Sequence, residues 1–115
     1  MNEEDARISE TPLPPYLAVI FTSLRTPGDH GYDETAAAMA VLAREQDGYL
    51  GIESAREELG ITVSYWKDEQ SARSWKHVAE HLVAQRRGLD TWYRDYRVRV
   101  AMVSRDYGPA DSELR

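Results

Sequence analysis

From Tyr93 the chain reads YRDYRVRVAMVSRDY, and its side chains sort with a period of two. Tyr96, Val98, Val100 and Met102 fall on one side, Arg97, Arg99, Ala101 and Val103 on the other. Only an extended strand sends alternate residues to opposite faces, so this segment commits the chain to a β-sheet. Three further runs can join it. YLAVIFTSLR, from Tyr16 to Arg25, is rich in β-branched and aromatic residues and ends in the turn chemistry of TPGDHG. QDGYLGIESARE leaves a helix end at Gly48 and becomes a second strand. ELG then reverses the chain and ITVSYW forms a third strand, so the middle two make a hairpin.

Helical spacing fills the gaps. Tyr32, Ala36, Met39, Leu42 and Ala43 recur at three and four residues, and Asp33 and Glu34 sit in the first turn, where negative charge favours the helix dipole. Asp68 is placed to cap a second helix, which carries Ser71, Ala72, Trp75, Ala79 and Leu82 through to Arg86 and Arg87 and stops at Gly88. LDTWY then reads as a short turn or 3₁₀ segment. The order β-α-β-β-α-β without an internal repeat implies a ferredoxin-like α+β fold, a four-stranded antiparallel sheet with two helices on one face. Its other face carries apolar residues, which a second copy would cover, so a homodimer through the sheet face is expected.

With 115 residues the chain is one domain. Residues 1–15 are charged and contain Pro12, Pro14 and Pro15, which reads as a flexible N-terminal arm able to lie against a neighbour. Residues 16–107 form the folded domain, and 108–115, GPADSELR, a tail. A net charge of -6 argues against a nucleic-acid partner, because phosphate binding needs a surplus of Lys and Arg on one face, and Asp95 dilutes the cluster Arg94, Arg97, Arg99. There is no cysteine, no apolar leader and no run long enough to cross a membrane, so a cytoplasmic, soluble protein is expected.

The chemistry-bearing residues crowd into SYWKDEQSARSWKHVAEH, from Ser64. HVAEH fits the HxxEH pattern of an inverted zinc-protease helix. At about 100° per residue, however, His77 and His81 lie roughly 200° and 240° from Trp75, on the polar side of the helix, and no third ligand accompanies them. No metal is therefore expected, and the dispersed glycines exclude nucleotide and flavin loops. Trp66 and Trp75 suit either a core or a pocket wall; Trp92, Tyr93 and Tyr96 suit a ligand wall or a core seal. Arg25, at the end of the first strand, can clamp an anionic or enolic oxygen or form a surface ion pair. His81, with Tyr65 or Tyr96 nearby, can take a proton from an acidic carbon or phenol.

Together FTSLRT, MAVLAREQDGYLGIESARE, GITVSYWKDEQSARSWKHVAEHLVAQRRG and WYRDYRVRVAMV resemble the antibiotic biosynthesis monooxygenase domain, over roughly Tyr16 to Tyr107. The resemblance implies a ferredoxin-like fold paired into a dimeric α+β barrel. Members of that family include oxygenases that oxidise polycyclic phenols without metal, flavin or haem, haem-degrading enzymes and quinol oxygenases. The haem-degrading branch uses a strand-one Asn, a helix-two Trp and an axial His ten residues later. Here Ser23, Trp75 and Gln85 occupy those places, and glutamine is a poor iron ligand. The resemblance thus implies a cofactor-independent monooxygenase acting on an aromatic or quinol-type small molecule. His81 would be the base, with Tyr65 and Arg25 positioning the anion and Ser23, Trp66, Trp75, Gln85, Trp92 and Tyr96 lining the substrate. The alternative is a non-enzymatic small-ligand or stress-response dimer.

Overall fold

The structure, a computed structural model, describes residues 7–86 and 88–114. Four strands, β1 (Tyr16–Arg25), β2 (Tyr49–Arg56), β3 (Leu59–Trp66) and β4 (Tyr93–Val103), form one antiparallel sheet in the order β2-β3-β1-β4. Helix α1 (Tyr32–Arg44) connects β1 to β2, and α2 (Glu69–Gln85) with the short α3 (Gly88–Trp92) connects β3 to β4. This is the ferredoxin-like arrangement the residue pattern implies. Asp68 caps α2 as expected, accepting from the backbone N–H of Ser71 at 2.8 Å, and that bond holds its carboxyl below the usual range.

Cross-strand register decides which side chains share a face. Leu17, Val19, Phe21 and Ser23 of β1 pair with Trp66, Ser64, Thr62 and Gly60 of β3 on one side and with Met102, Val100, Val98 and Tyr96 of β4 on the other. All of these point to the helix side. The core sits at one end of that side, where Leu17, Ala43, Trp66, Ala72 and Trp75 are buried and Val19, Met39, Leu42, Tyr49 and Val78 pack around them. Trp66 is fully buried; it stacks on Trp75 with ring centres 5.6 Å apart and donates its indole N–H to Ser64 at 2.8 Å.

Both tryptophans therefore belong to the core. Trp75 lies on the same helical stripe as Ala72, so the spacing that let it serve either role delivers it onto Trp66.

Helices α1 and α2 pack chiefly on β1, β2 and β3, while β4 meets α3 and, at Tyr93, Tyr32 of α1, and is left open from Tyr96 onward. Val98, Val100 and Met102, on the helix side of the sheet, are consequently 46%, 58% and 61% exposed. The opposite face is partly closed by the chain itself. Residues 1–6 of the expected arm lie outside the described residues, but from Ser9 the arm meets its own sheet. Ser9 donates its backbone N–H to Glu53 at 2.9 Å and its hydroxyl to the Ile52 carbonyl at 3.1 Å, and Thr11 donates to the Tyr16 hydroxyl at 2.9 Å. Leu59 and Ile61 remain exposed on that face.

The hairpin turns earlier than ELG suggests. The reversal falls at Glu57 and Glu58, and Gly60 is already inside β3. Gly60 serves close approach there: a Cβ on it would lie 2.1 Å from the guanidinium carbon of Arg56, which crosses over it.

Candidate functional site

At the end of the sheet remote from Trp66 and Trp75, the register lines up Arg56, Gly60, Ser23 and Tyr96 in one row across all four strands on the helix side. Arg56 extends over Gly60 and donates through Nη2 to the hydroxyl of Ser23, which is only 2% exposed. Its Nη1 is buried without a hydrogen-bond partner. Among the described residues the ion pair found is the exposed Arg73–Glu69 link, so no carboxylate balances Arg56.

Aromatic rings build the surroundings. Phe21 meets Tyr93 edge to face at 5.2 Å and Tyr96 at 5.7 Å, and Tyr32 meets Tyr93 and Trp92 at 5.9 Å each. Trp92 is buried, with its indole N–H on the His30 carbonyl at 2.8 Å. Its own carbonyl accepts from the Thr26 N–H at 2.9 Å and from Arg25 Nε at 3.0 Å. Arg25 also donates to the Gly28 carbonyl and lies 3.5 Å over the Tyr32 ring, so it fastens the end of β1 to the start of β4. Burial raises the Tyr93 hydroxyl above the ordinary tyrosine value, aided by the neighbouring Tyr32, while Arg56 and Arg25 pull it back. A flat apolar ligand with one oxygen suits such a setting, because rings supply contact area and one donor fixes orientation.

A second depression lies between α1 and α2. This groove of about 520 Å³ is lined by Leu42, His77, Val78, His81, Leu82 and Gln85. His77, His81 and Gln85 are exposed, and the side chain of none of them makes a hydrogen bond or ion pair among the described residues. No third residue joins the two histidines in a metal-holding group among the described residues. The haem arrangement does not fit either, since Trp75 is stacked into the core and the exposed Gln85 stands at the axial place.

The residues expected to act together are thus divided. Ser23, Arg25, Trp92 and Tyr96 meet at the strand-end cleft, with Arg25 and Trp92 holding its frame. His81 and Gln85 meet in the helix groove. Tyr65 joins neither: it pairs with Ala18 on the opposite face of the sheet and donates to Glu53 at 2.7 Å, and burial first, then Glu53, raises its hydroxyl. It cannot position an anion beside His81 or Arg25 from there. Sequence reasoning missed Phe21, Tyr32 and Arg56 as partners of the cleft. The one signal for Arg56 was a cation four residues before a glycine across a hairpin.

No family model matches the chain. Over 100 residues it is 50% identical to the uncharacterised protein YqjZ of Bacillus subtilis, covering 85% of this chain and 88% of YqjZ. A shorter stretch of 44 residues is 39% identical to jasmonate monooxygenase ABM of Pyricularia oryzae, covering 38% of this chain and 20% of that larger protein. A solved structure of a SnoaB variant, a cofactor-independent oxygenase from Streptomyces nogalater, shares the fold with a TM-score of 0.65 at 12% identity, over 82% of this chain and 97% of SnoaB. Proteins of Nitrosomonas europaea and Deinococcus radiodurans designated as antibiotic biosynthesis monooxygenases share it too. By its half-identical relative the chain belongs to one family with YqjZ, and its fold is the one shared by SnoaB and the antibiotic biosynthesis monooxygenases of solved structure.

Proposed function

We propose that the protein is a monooxygenase-like enzyme that holds a small electron-rich aromatic, of phenol or quinol type, in the strand-end cleft and oxidises it with molecular oxygen without a cofactor. The observation that carries this reading is the set of rings from Phe21, Tyr32, Tyr93 and Tyr96 gathered beside Ser23, with β4 exposed from Tyr96 onward. The activities of the similar proteins are in keeping with it. The overall reaction balances without an added reductant. A phenol gives up its hydroxyl proton and one ring hydrogen, takes up one oxygen atom at that carbon to become a quinone, and the second oxygen atom leaves as water. The phenolate supplies the electrons, so the protein's part is to bind, orient and exclude water.

The cleft has no histidine or carboxylate among its described ring and Ser23–Arg56 contacts, which favours a second reading in which the protein binds the same ligands without turning them over. Oxygen consumption over a panel of phenols and quinols separates the two. Enzymatic uptake that falls about tenfold in kcat/KM with Tyr96→Ala, the order expected for losing an aromatic contact, supports the oxygenase. Tight binding of the same compounds with no uptake by the wild type supports the binding protein.

A further inference from the structure

We infer that Arg56 is the specificity-determining residue of the cleft, and that it selects ligands carrying an aromatic oxyanion over their neutral isosteres. This inference rests on the cleft assigned above but not on turnover there.

A guanidinium offers five N–H donors, and burying one without an acceptor costs more than a neutral donor would, so native chains rarely leave one open. Here Nη2 is committed to Ser23, Nη1 is buried and unpartnered, and among the described residues no carboxylate pairs with the group, although acidic residues outnumber basic ones in the chain by 20 to 14. The arrangement is built, because Gly60 leaves the space through which the side chain crosses β3, and a Cβ there would lie 2.1 Å from the guanidinium. The unpartnered donor thus belongs to a cation held in place near Tyr93.

What completes it is an acceptor that arrives with the ligand. With Nη2 occupied, the side chain is set to offer a single-point contact in place of the two parallel bonds with which arginine grips a carboxylate. One oxygen on a flat ring matches one donor beside aromatic walls, and the ionised oxygen matches the uncompensated charge. A phenolate or enolate has both features.

The test is equilibrium binding of 4-nitrophenolate and its neutral isostere 4-nitroanisole, followed by quenching of tryptophan fluorescence. Binding should favour the phenolate by about ten- to a hundredfold, the worth of a charge-assisted hydrogen bond away from water. Arg56→Met should remove that preference while leaving anisole binding within about threefold, with the fold checked by circular dichroism. Should Arg56→Met fail to fold, Ser23→Ala serves instead: it frees the guanidinium from its anchor and should reduce the preference several-fold. A wild type that binds both probes equally, or a folded Arg56→Met or Ser23→Ala variant that keeps the full preference, overturns the inference and leaves Nη1 to an ordered water. Preference without oxygen uptake removes the oxygenase reading alone, and uptake without preference removes this inference alone.

Discussion

In the strand-end cleft the polar groups are anchored. Ser23 is 2% exposed and receives Arg56, while Arg25 is fixed by the Trp92 and Gly28 carbonyls and by the Tyr32 ring. In the groove between the helices, an opening of about 520 Å³, His77, His81 and Gln85 line the wall, yet the side chain of none is held by a hydrogen bond among the described residues. The groove has the residue type best suited to proton transfer near neutrality, and the cleft has the geometry. A titrating side chain free to rotate orients nothing, whereas a charge locked between a hydroxyl and a glycine presents its open donor in one direction. Histidine content is thus a poorer guide to a site than whether the polar groups are fixed by their neighbours.

The largest expected effect abolishes the comparison. Trp66→Ala removes the fully buried ring on which Trp75 stacks, and both regions depend on that stack to seat α2. A loss of about 3–5 kcal/mol is expected, a large part of a domain's stability, and denaturant titration measures it. A loss below about 1 kcal/mol would return Trp66 to the role of a replaceable pocket wall.

Gly60→Ala should separate the two regions. The new methyl meets the far end of a flexible arginine and no rigid backbone, so the guanidinium swings aside and stability changes by less than about 1 kcal/mol. Ligand binding in the cleft should nevertheless weaken about tenfold. Unchanged binding would show that the cleft does not use the arginine in this pose.

Alkaline pH tests the face opposite both. Tyr16 and Tyr65 have hydroxyls raised from the model-peptide value of 10.0, chiefly by burial. A raised folded value means their stabilisation is whole below about 10 and is lost as the pH climbs from there through the folded values. Thermal melts should therefore drop above pH 10, and Tyr65→Phe, which also gives up the Glu53 bond, should show a shallower drop across that window. An equal slope in both proteins would mean that Tyr65 ionises as freely as in an unfolded chain.

The smallest effect is expected at the groove. His81→Ala removes an exposed, unheld side chain, so stability should stay within about 0.5 kcal/mol and ligand binding or turnover within about twofold. A drop of about 10² to 10⁴ in turnover, the range for a positioned general base, would move the chemistry from the cleft to the groove.

Much of the fold could be read from local signals. The two-residue alternation in β4, the helical stripes and the Asp68 cap are each written within one segment, and physics acting over a few residues was enough to interpret them. The site was less legible. Trp92 and Tyr96 stood out as a cluster because they are neighbours in sequence, but Phe21, Tyr32 and Arg56 lie on three other elements and no local spacing links them. His81 and Tyr65 looked like partners because both can handle protons; the sheet lies between them.

What the sequence determined by itself is therefore the order of elements, their ends and the apolar stripe of each, since all three follow from periodicity, capping and turn chemistry within a segment. The tertiary structure alone decided which strand faces stay uncovered, that the arm from Ser9 folds back on its own sheet, and that Arg56 crosses Gly60 to reach Ser23. These depend on cross-strand register, where a shift of one residue sends every side chain to the other face, and register is fixed only when all the strands are packed together.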